Sequence, residues 1–90
     1  MATISFIRKH SLGSAEAKRR ILPAIAKTAA AFGLNIRWEE DICHFAGLAS
    51  GRLTVRADSI ELHARLGLLA SLMKNDIAKE IAHELDNALA

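Results

Sequence analysis

The strongest constraint on the fold is residues 52–66, where apolar and polar side chains alternate almost without exception. Because successive side chains of a β-strand point to opposite faces, the alternation predicts strands with one buried face. A two-residue turn at Asp58 and Ser59 divides the stretch into a hairpin and sets Arg56 opposite Glu61, a favourable cross-strand pair. The side chains predicted to face inward are Leu53, Val55, Ala57, Ile60, Leu62, Ala64 and Leu66.

A second hairpin is predicted over residues 34–46, because apolar and polar residues alternate there too. A two-residue turn in its middle sets Trp38 opposite Cys43 and Ile36 opposite Phe45, which gives the hairpin one consistent apolar face.

Two connections complete the predicted sheet. Residues 2–9, rich in β-branched and aromatic side chains, predict one more strand at the start of the chain. A looser loop over residues 47–51 joins the two hairpins.

Two stretches repeat apolar residues every three or four positions, as α-helices with one buried face do. The first spans residues 14–32, where Ser11 or Ser14 is expected to cap its start and Gly33 to end it. Pro23 lies inside this helix but away from the apolar face, which favours a bent continuous helix over a broken one. The second helix begins at residue 68. Its main apolar side chains are Met73, Ile77, Ile81, Leu85 and Ala88.

The element order is therefore β-α-β-β-β-β-α in a single domain over residues 1–90, since a chain of this length forms one hydrophobic core. A one-sided sheet and two one-sided helices must cover each other. We expect an α+β, two-layer sandwich with a mostly antiparallel sheet and both helices on one face. The four later strands form a meander, and the first strand pairs with the last.

Charge and cysteine content favour a cytoplasmic protein. One cysteine cannot form an intrachain disulfide, and the sequence shows neither a signal peptide nor a span of about 20 apolar residues. The formal net charge of +2 hides an asymmetry, because residues 1–37 carry +6 and residues 38–90 carry −4. The two parts are expected to attract each other within the fold or between subunits.

The outward face of the predicted sheet is basic by residue type. With His10 at the end of the first strand, it supplies candidate anion-binding residues, which are Arg37, Arg52, Arg56, Arg65 and His10. A nucleic-acid-binding regulator is one function that this face would serve, but stacking on bases needs aromatic side chains, and the face has none. A solvated sheet face with no ligand is the competing interpretation.

No metal site, cofactor or catalytic group is predicted. His44 and His63 share the outer face about 10 Å apart, too far for one ion, and Cys43 points inward. The serines considered as nucleophiles all have local structural uses in turns or near helix ends. They are Ser11, Ser14, Ser50, Ser59 and Ser71. The sequence therefore predicts a protein that is not an enzyme.

The start of the last helix is apolar nearly all round, because Leu68, Leu69 and Leu72 accompany the inward side chains. Two interpretations stay open: the core encloses these leucines, or they form an exposed patch for a partner or an apolar surface. A third function, a small apolar-ligand carrier, requires a cavity between the sheet and this helix. Self-association through this helix or an open sheet edge is also compatible with the sequence.

Three runs of the sequence resemble the polyhydroxyalkanoic acid system proteins, small bacterial proteins associated with polyester storage-granule loci. The matching runs are RKHSLGSAEAK, FGLNIRWEEDICHFAG and SGRLTVRADSIELHARLGLLASLMKNDIAKEIAHELD. The similarity covers nearly the whole chain. It implies a non-enzymatic accessory protein of the granule system that binds a granule surface or a granule-associated protein, and it carries over no catalytic residue.

Overall fold

A five-stranded antiparallel sheet is covered by helices. The computed structural model describes residues 2–90, apart from the side chain of Leu69. The strands are β1 (Ala2–Lys9), β2 (Asn35–Glu39), β3 (Ile42–Ala46), β4 (Ala49–Val55) and β5 (Ser59–Leu66). The helices are α1 (Ser14–Phe32), α2 (Leu68–Ser71) and α3 (Lys74–Leu89). The predicted α+β class and element order are confirmed.

The strands lie in the order β1-β5-β4-β3-β2. This confirms the predicted meander, with β1 added beside the last strand. In the β2–β3 hairpin, Trp38 pairs with Cys43 and Ile36 with Phe45, as the alternation predicts. β5 lies between β1 and β4, so it hydrogen-bonds along both of its edges.

The register of the β4–β5 hairpin differs from the prediction. Arg56 donates its N–H to the carbonyl oxygen of Ser59 at 2.8 Å, so the turn residues are Ala57 and Asp58. Glu61 consequently faces Thr54 rather than Arg56, and Ala57 is exposed rather than inward. The observed register is displaced by two residues from the predicted one, so all the remaining side chains of the two strands keep their predicted face. Alternation alone therefore cannot distinguish the predicted register from the observed one.

The connection between the hairpins is shorter than predicted, because β4 already begins at Ala49, which pairs with Leu66 at the end of β5. Gly51 therefore lies inside β4, opposite Ala64. Its φ of +155° is compatible with glycine, and a Cβ built there would lie 2.0 Å from the carbonyl oxygen of His63. The absence of a side chain at Gly51 is what lets β4 and β5 approach each other here.

Helix α1 runs through Pro23 without a break, as expected for a proline on the solvent side. Gly33 ends it with φ 65°, also as predicted. The prediction of a serine cap is wrong: the N-cap is Gly13, with φ 79° and no side-chain hydrogen bond. Glycine adopts this positive φ without the steric cost that serine would have.

The last predicted helix is two helices, since a turn at Leu72 and Met73 separates α2 from α3. Met73 donates its N–H to the carbonyl oxygen of Ala70 at 3.0 Å and is 53% exposed, so its predicted place on the buried stripe is wrong. A count of 100° per residue fails across a turn, because the two helices have separate axes. Ile77 and Leu85 are buried as predicted.

The core lies between the inner sheet face and the helices. Ile21, Ile60 and Leu66 have no exposed surface, and Ala17 of α1 and Leu85 of α3 join the same cluster. Over residues 2–90, the described helices include none with the length and apolar character needed to cross a membrane.

Charge attraction between the two parts of the chain occurs within the fold. Lys27 of α1 lies 3.1 Å from Glu84 of α3, and Arg8 of β1 lies 3.0 Å from Asp86 of α3. Each pair has one partly buried member, and ion pairs at the surface contribute about 0–1 kcal/mol each.

Candidate functional site

An apolar patch lies at the end of the molecule where β5 leads into the last helices. It consists of Leu48, Leu68, Leu72 and Met73, whose exposed fractions are 51, 78, 85 and 53%. Gly67 donates its N–H to the carbonyl oxygen of Leu48 at 2.9 Å, which ties the β3–β4 turn to the start of α2. The prediction for Leu69 falls outside the described side chains.

The shortness of α2 explains why these leucines are exposed. Its four residues include one described side chain in the core, Ala70, at 5% exposure. The hydroxyl of Ser71, at the end of α2, donates a hydrogen bond to the carbonyl oxygen of Gly67, just before its start, at 2.8 Å. Of the two interpretations of Leu68 and Leu72, the structure favours the exposed patch over enclosure in the core.

Polar side chains form a row across the outer face of the whole sheet. Pairing aligns Arg37 with His44, His44 with Arg52, Arg52 with His63, and His63 with Ser5. Since neighbouring strands are about 4.8 Å apart, Arg37 and Arg52 are separated by about 10 Å, as are His44 and His63. The row is therefore a spread of separate charges rather than a cluster around one point.

The other predicted anion-binding residues lie apart from this row. Arg65 is exposed opposite Ser50, and Arg56 has an acidic neighbour, since its Nη2 lies 3.6 Å from Oε2 of Glu61. His10 uses both ring nitrogens on backbone groups: Nδ1 accepts from Leu12 N–H at 3.1 Å, and Nε2 lies 3.1 Å from the carbonyl oxygen of Arg56. An anion at His10 would have to displace one of these bonds.

A serine–histidine–carboxylate array, which the sequence patterns do not reveal, lies on the outer face. Ser5 Oγ is 3.2 Å from His63 Nδ1, and His63 Nε2 is 2.7 Å from Glu61 Oε1. The hydrogen bond from His63 lowers the pKa of Glu61, with Arg56 and Arg52 acting in the same direction. Glu61 and His63 lie two residues apart on β5 and therefore share one face of the sheet. Only the pairing of β1 with β5 places Ser5 next to His63.

The serine, histidine and carboxylate follow one another in the same order as in a hydrolase catalytic triad. Ester cleavage, however, also requires a substrate-binding site and hydrogen-bond donors for the oxyanion. Among the described residues, the apolar cavity lies on the opposite face of the sheet, and Ser5 is not part of its lining. We interpret the array as a polar network that links β1 to β5.

An apolar cavity of about 80 Å³ lies between the inner sheet face, α1 and α3. Its lining is almost entirely apolar and includes Cys43 of β3, Phe32 of α1 and Ile81 of α3. Burial raises the pKa of the Cys43 thiol to about 11. A small apolar-ligand carrier requires a cavity in this place, and the structure contains one.

The thiol of Cys43 should be unreactive in the folded protein, because the thiolate is the reactive species and a pKa near 11 leaves little of it at pH 8. We expect a disulfide reagent such as dithiobis-nitrobenzoate to react about 100-fold or more slowly than with the urea-unfolded chain. Equal rates in the two states would contradict the burial of Cys43.

A metal site is not formed by the described side chains, among which no group of three or more histidine, cysteine or acidic residues lies close enough to hold an ion. The strand carrying Arg52 separates His44 from His63. Cys43 lies on the inner face and is 1% exposed.

Comparison with known proteins identifies a family. The family model described as "Putative polyhydroxyalkanoic acid system protein (PHA_gran_rgn)" matches residues 4–89. The chain belongs to this family. No curated protein and no solved structure matches the chain.

Several residues within the runs that resemble the polyhydroxyalkanoic acid system proteins have structural roles. Gly51 permits the close approach of β4 and β5, and Gly67 connects α2 to the turn at Leu48. Phe45 lines the cavity, and Trp38 lies under the Lys18 ammonium, with 4.8 Å between the nitrogen and a ring centroid. Of these residues, Phe45 belongs to the cavity lining and Gly67 to the end of the molecule that carries the apolar patch.

Proposed function

We propose that this protein is a non-enzymatic accessory protein of the polyhydroxyalkanoate granule system, acts in the bacterial cytoplasm, and binds the granule surface through the apolar patch. The observation that carries the proposal is the exposure of Leu68 and Leu72, at 78 and 85%. Membership of the polyhydroxyalkanoic acid system family supports the polyester granule as the surface concerned.

The chemistry of the patch suits a polymer surface. Full burial of one leucine side chain stabilises an association by about 1.5–3 kcal/mol, and four neighbouring large apolar residues multiply that effect. The patch is made of flexible aliphatic side chains and lies beside the exposed, charged Lys74 and Asp76 at the start of α3. An apolar centre with a polar edge is typical of a site that docks on another hydrophobic surface.

Two other occupants of exposed surfaces have different chemical requirements. A nucleic acid would use the outer sheet face, where the arginines are spread out and the described row has no aromatic side chain for stacking. Its binding would weaken steeply with salt, whereas apolar docking would not. A second copy of the chain would use the patch or the open edges of β1 and β2.

Replacing Leu68 and Leu72 with glutamate should weaken binding to protein-free polyhydroxyalkanoate particles at least 30-fold. Partial burial of each leucine accounts for about 1 kcal/mol, and two buried carboxylates add a desolvation penalty. Sedimentation of the protein with washed particles, at low and high salt, measures the affinity. The matched control replaces Ile7 and Leu22, 54 and 40% exposed elsewhere, with glutamate.

The control variant carries the same added charge, so it should bind the particles as the wild type does. Unchanged binding by the folded Leu68→Glu/Leu72→Glu protein would overturn the patch as the docking site. Binding only to granules that retain their proteins would show a granule-associated protein as the partner and overturn the polymer surface.

A further inference from the structure

We propose that the cavity between the sheet, α1 and α3 binds a short alkyl side chain of a hydroxyalkanoate unit. The inference rests on the proposed function only for the identity of the ligand. The cavity itself calls for an aliphatic group, because its lining is almost entirely apolar.

The volume of the cavity sets the length of the chain. An apolar cavity of about 150 Å³ holds benzene, which has six carbon atoms. The present cavity, at about 80 Å³, has space for about three carbon atoms in a row. A propyl group fits this volume, whereas a methyl group leaves most of it empty.

Alanines create the space. Five alanines from α1, α2 and the sheet contribute to the lining: Ala24, Ala29, Ala49, Ala64 and Ala70. A larger aliphatic residue at these positions would fill the cavity from within. The high alanine content of α1 thus has a consequence for binding as well as for helix formation.

Polar groups in the lining are few and keep charged ligands out. Glu84 lines one side, where Lys27 holds its carboxylate at 3.1 Å, and Thr28 contributes a hydroxyl. A carboxylate placed inside would lose its hydration without a partner and meet the charge of Glu84. The ligand therefore inserts its alkyl part and leaves its ester and hydroxyl groups outside.

Leu48 connects the cavity to the apolar patch. It lines the cavity and is 51% exposed, and its backbone is tied to Gly67 at the start of α2. We place the entrance at Leu48, so that a polyester chain lying on the patch can turn one side chain into the cavity. Surface docking and side-chain insertion then occur at the same end of the molecule.

A series of neutral methyl esters tests the inference on the wild-type protein. Methyl 3-hydroxybutanoate, 3-hydroxyhexanoate and 3-hydroxyoctanoate carry methyl, propyl and pentyl side chains. Titration followed by the NMR signals of the lining alanine methyl groups measures each affinity. We expect about fourfold tighter binding per methylene, hence about 15-fold from methyl to propyl, and a smaller gain from propyl to pentyl.

The matched pair Ala24→Leu and Ala30→Leu adds the same three carbon atoms to α1. Ala24 lines the cavity, whereas Ala30 is exposed and lies outside the lining. Ala24→Leu should weaken binding of methyl 3-hydroxyhexanoate at least tenfold, and Ala30→Leu should leave it unchanged. Equal effects of the two substitutions would overturn the assignment of the cavity.

The chain-length series remains decisive even where Ala24→Leu fails to fold, because it needs only the wild type. An affinity independent of chain length, or signal changes confined to the apolar patch, would overturn the inference. Ester binding without particle binding would refute only the proposed function. Particle binding that depends on Leu68 and Leu72, without ester binding, would refute only the cavity ligand.

Discussion

Replacing Gly51 with alanine is expected to destabilise the fold by about 3 kcal/mol or more. The added Cβ would lie 2.0 Å from the carbonyl oxygen of His63 and 3.0 Å from the Cα of Ala64. Both atoms belong to the backbone of β5, so relief of the clash requires the β4–β5 ladder to open. The φ of +155° adds backbone strain for a residue with a side chain.

Urea unfolding followed by circular dichroism measures this loss. Gly13→Ala is the matched control, because Gly13 also has a positive φ, of +79°, but no heavy atom beyond its two chain neighbours lies within 4 Å of the position that an added methyl group would take. The control should cost about 1–3 kcal/mol, the backbone term alone, because its φ of 79° and ψ of 161° are adopted almost only by glycine. The larger loss in Gly51→Ala then measures the contact with β5. A Gly51→Ala protein as stable as the control would show that β4 and β5 are not in close contact at this point.

Replacing Ile60 with alanine should lower the free energy of unfolding by about 2–5 kcal/mol. Ile60 has no exposed surface and lies near the start of β5, paired with Val55 on one side and Arg8 on the other. Removal of its aliphatic atoms leaves a cavity that the sheet backbone cannot close.

Ile7→Ala is the control for this substitution, since Ile7 lies on the neighbouring strand β1 and is 54% exposed. It should cost less than about 1 kcal/mol, because little apolar surface is removed from a packed environment. Thermal and urea unfolding of both variants give the comparison. Similar losses from Ile60→Ala and Ile7→Ala would contradict the assignment of the inner face.

These two predictions locate the stability of the fold in the ladders of β5 rather than in the exposed side chains of the apolar patch. Gly51 and Ile60 act on β5, which is hydrogen-bonded on both edges. The apolar patch instead includes a two-residue turn and a four-residue helix with one described buried side chain. Substitution of Leu68 or Leu72 is therefore expected to change binding with little loss of stability, which makes the particle assay interpretable.

The patterns that predicted the fold are local ones. Alternation over residues 52–66 identified two strands and their buried faces, and the helical repeat placed α1 over residues 14–32, as the structure has it. The same patterns misplaced the turn by one residue, so that Arg56 was paired with Glu61. The N-cap at Gly13 and the exposed position of Met73 depend on backbone conformations that residue type does not specify.

The features proposed for binding were also only partly predictable from the sequence. An apolar surplus at Leu68 and Leu72 was visible in the sequence, but whether the core enclosed it was not. Leu48 joins the patch only because the β3–β4 turn is tied to Gly67. Likewise, the array of Ser5, His63 and Glu61 depends on a pairing between residues 58 positions apart.

The sequence by itself determined which side chains share a face, because strand and helix periods are properties of neighbouring residues. It determined the element order and the net attraction between the two differently charged parts of the chain. Only the tertiary structure decided the β4–β5 register, the exposure of the leucines and the cavity of about 80 Å³. The physical reason is that a two-residue slip preserves every face, and that an empty volume depends on the summed sizes of residues far apart in the chain.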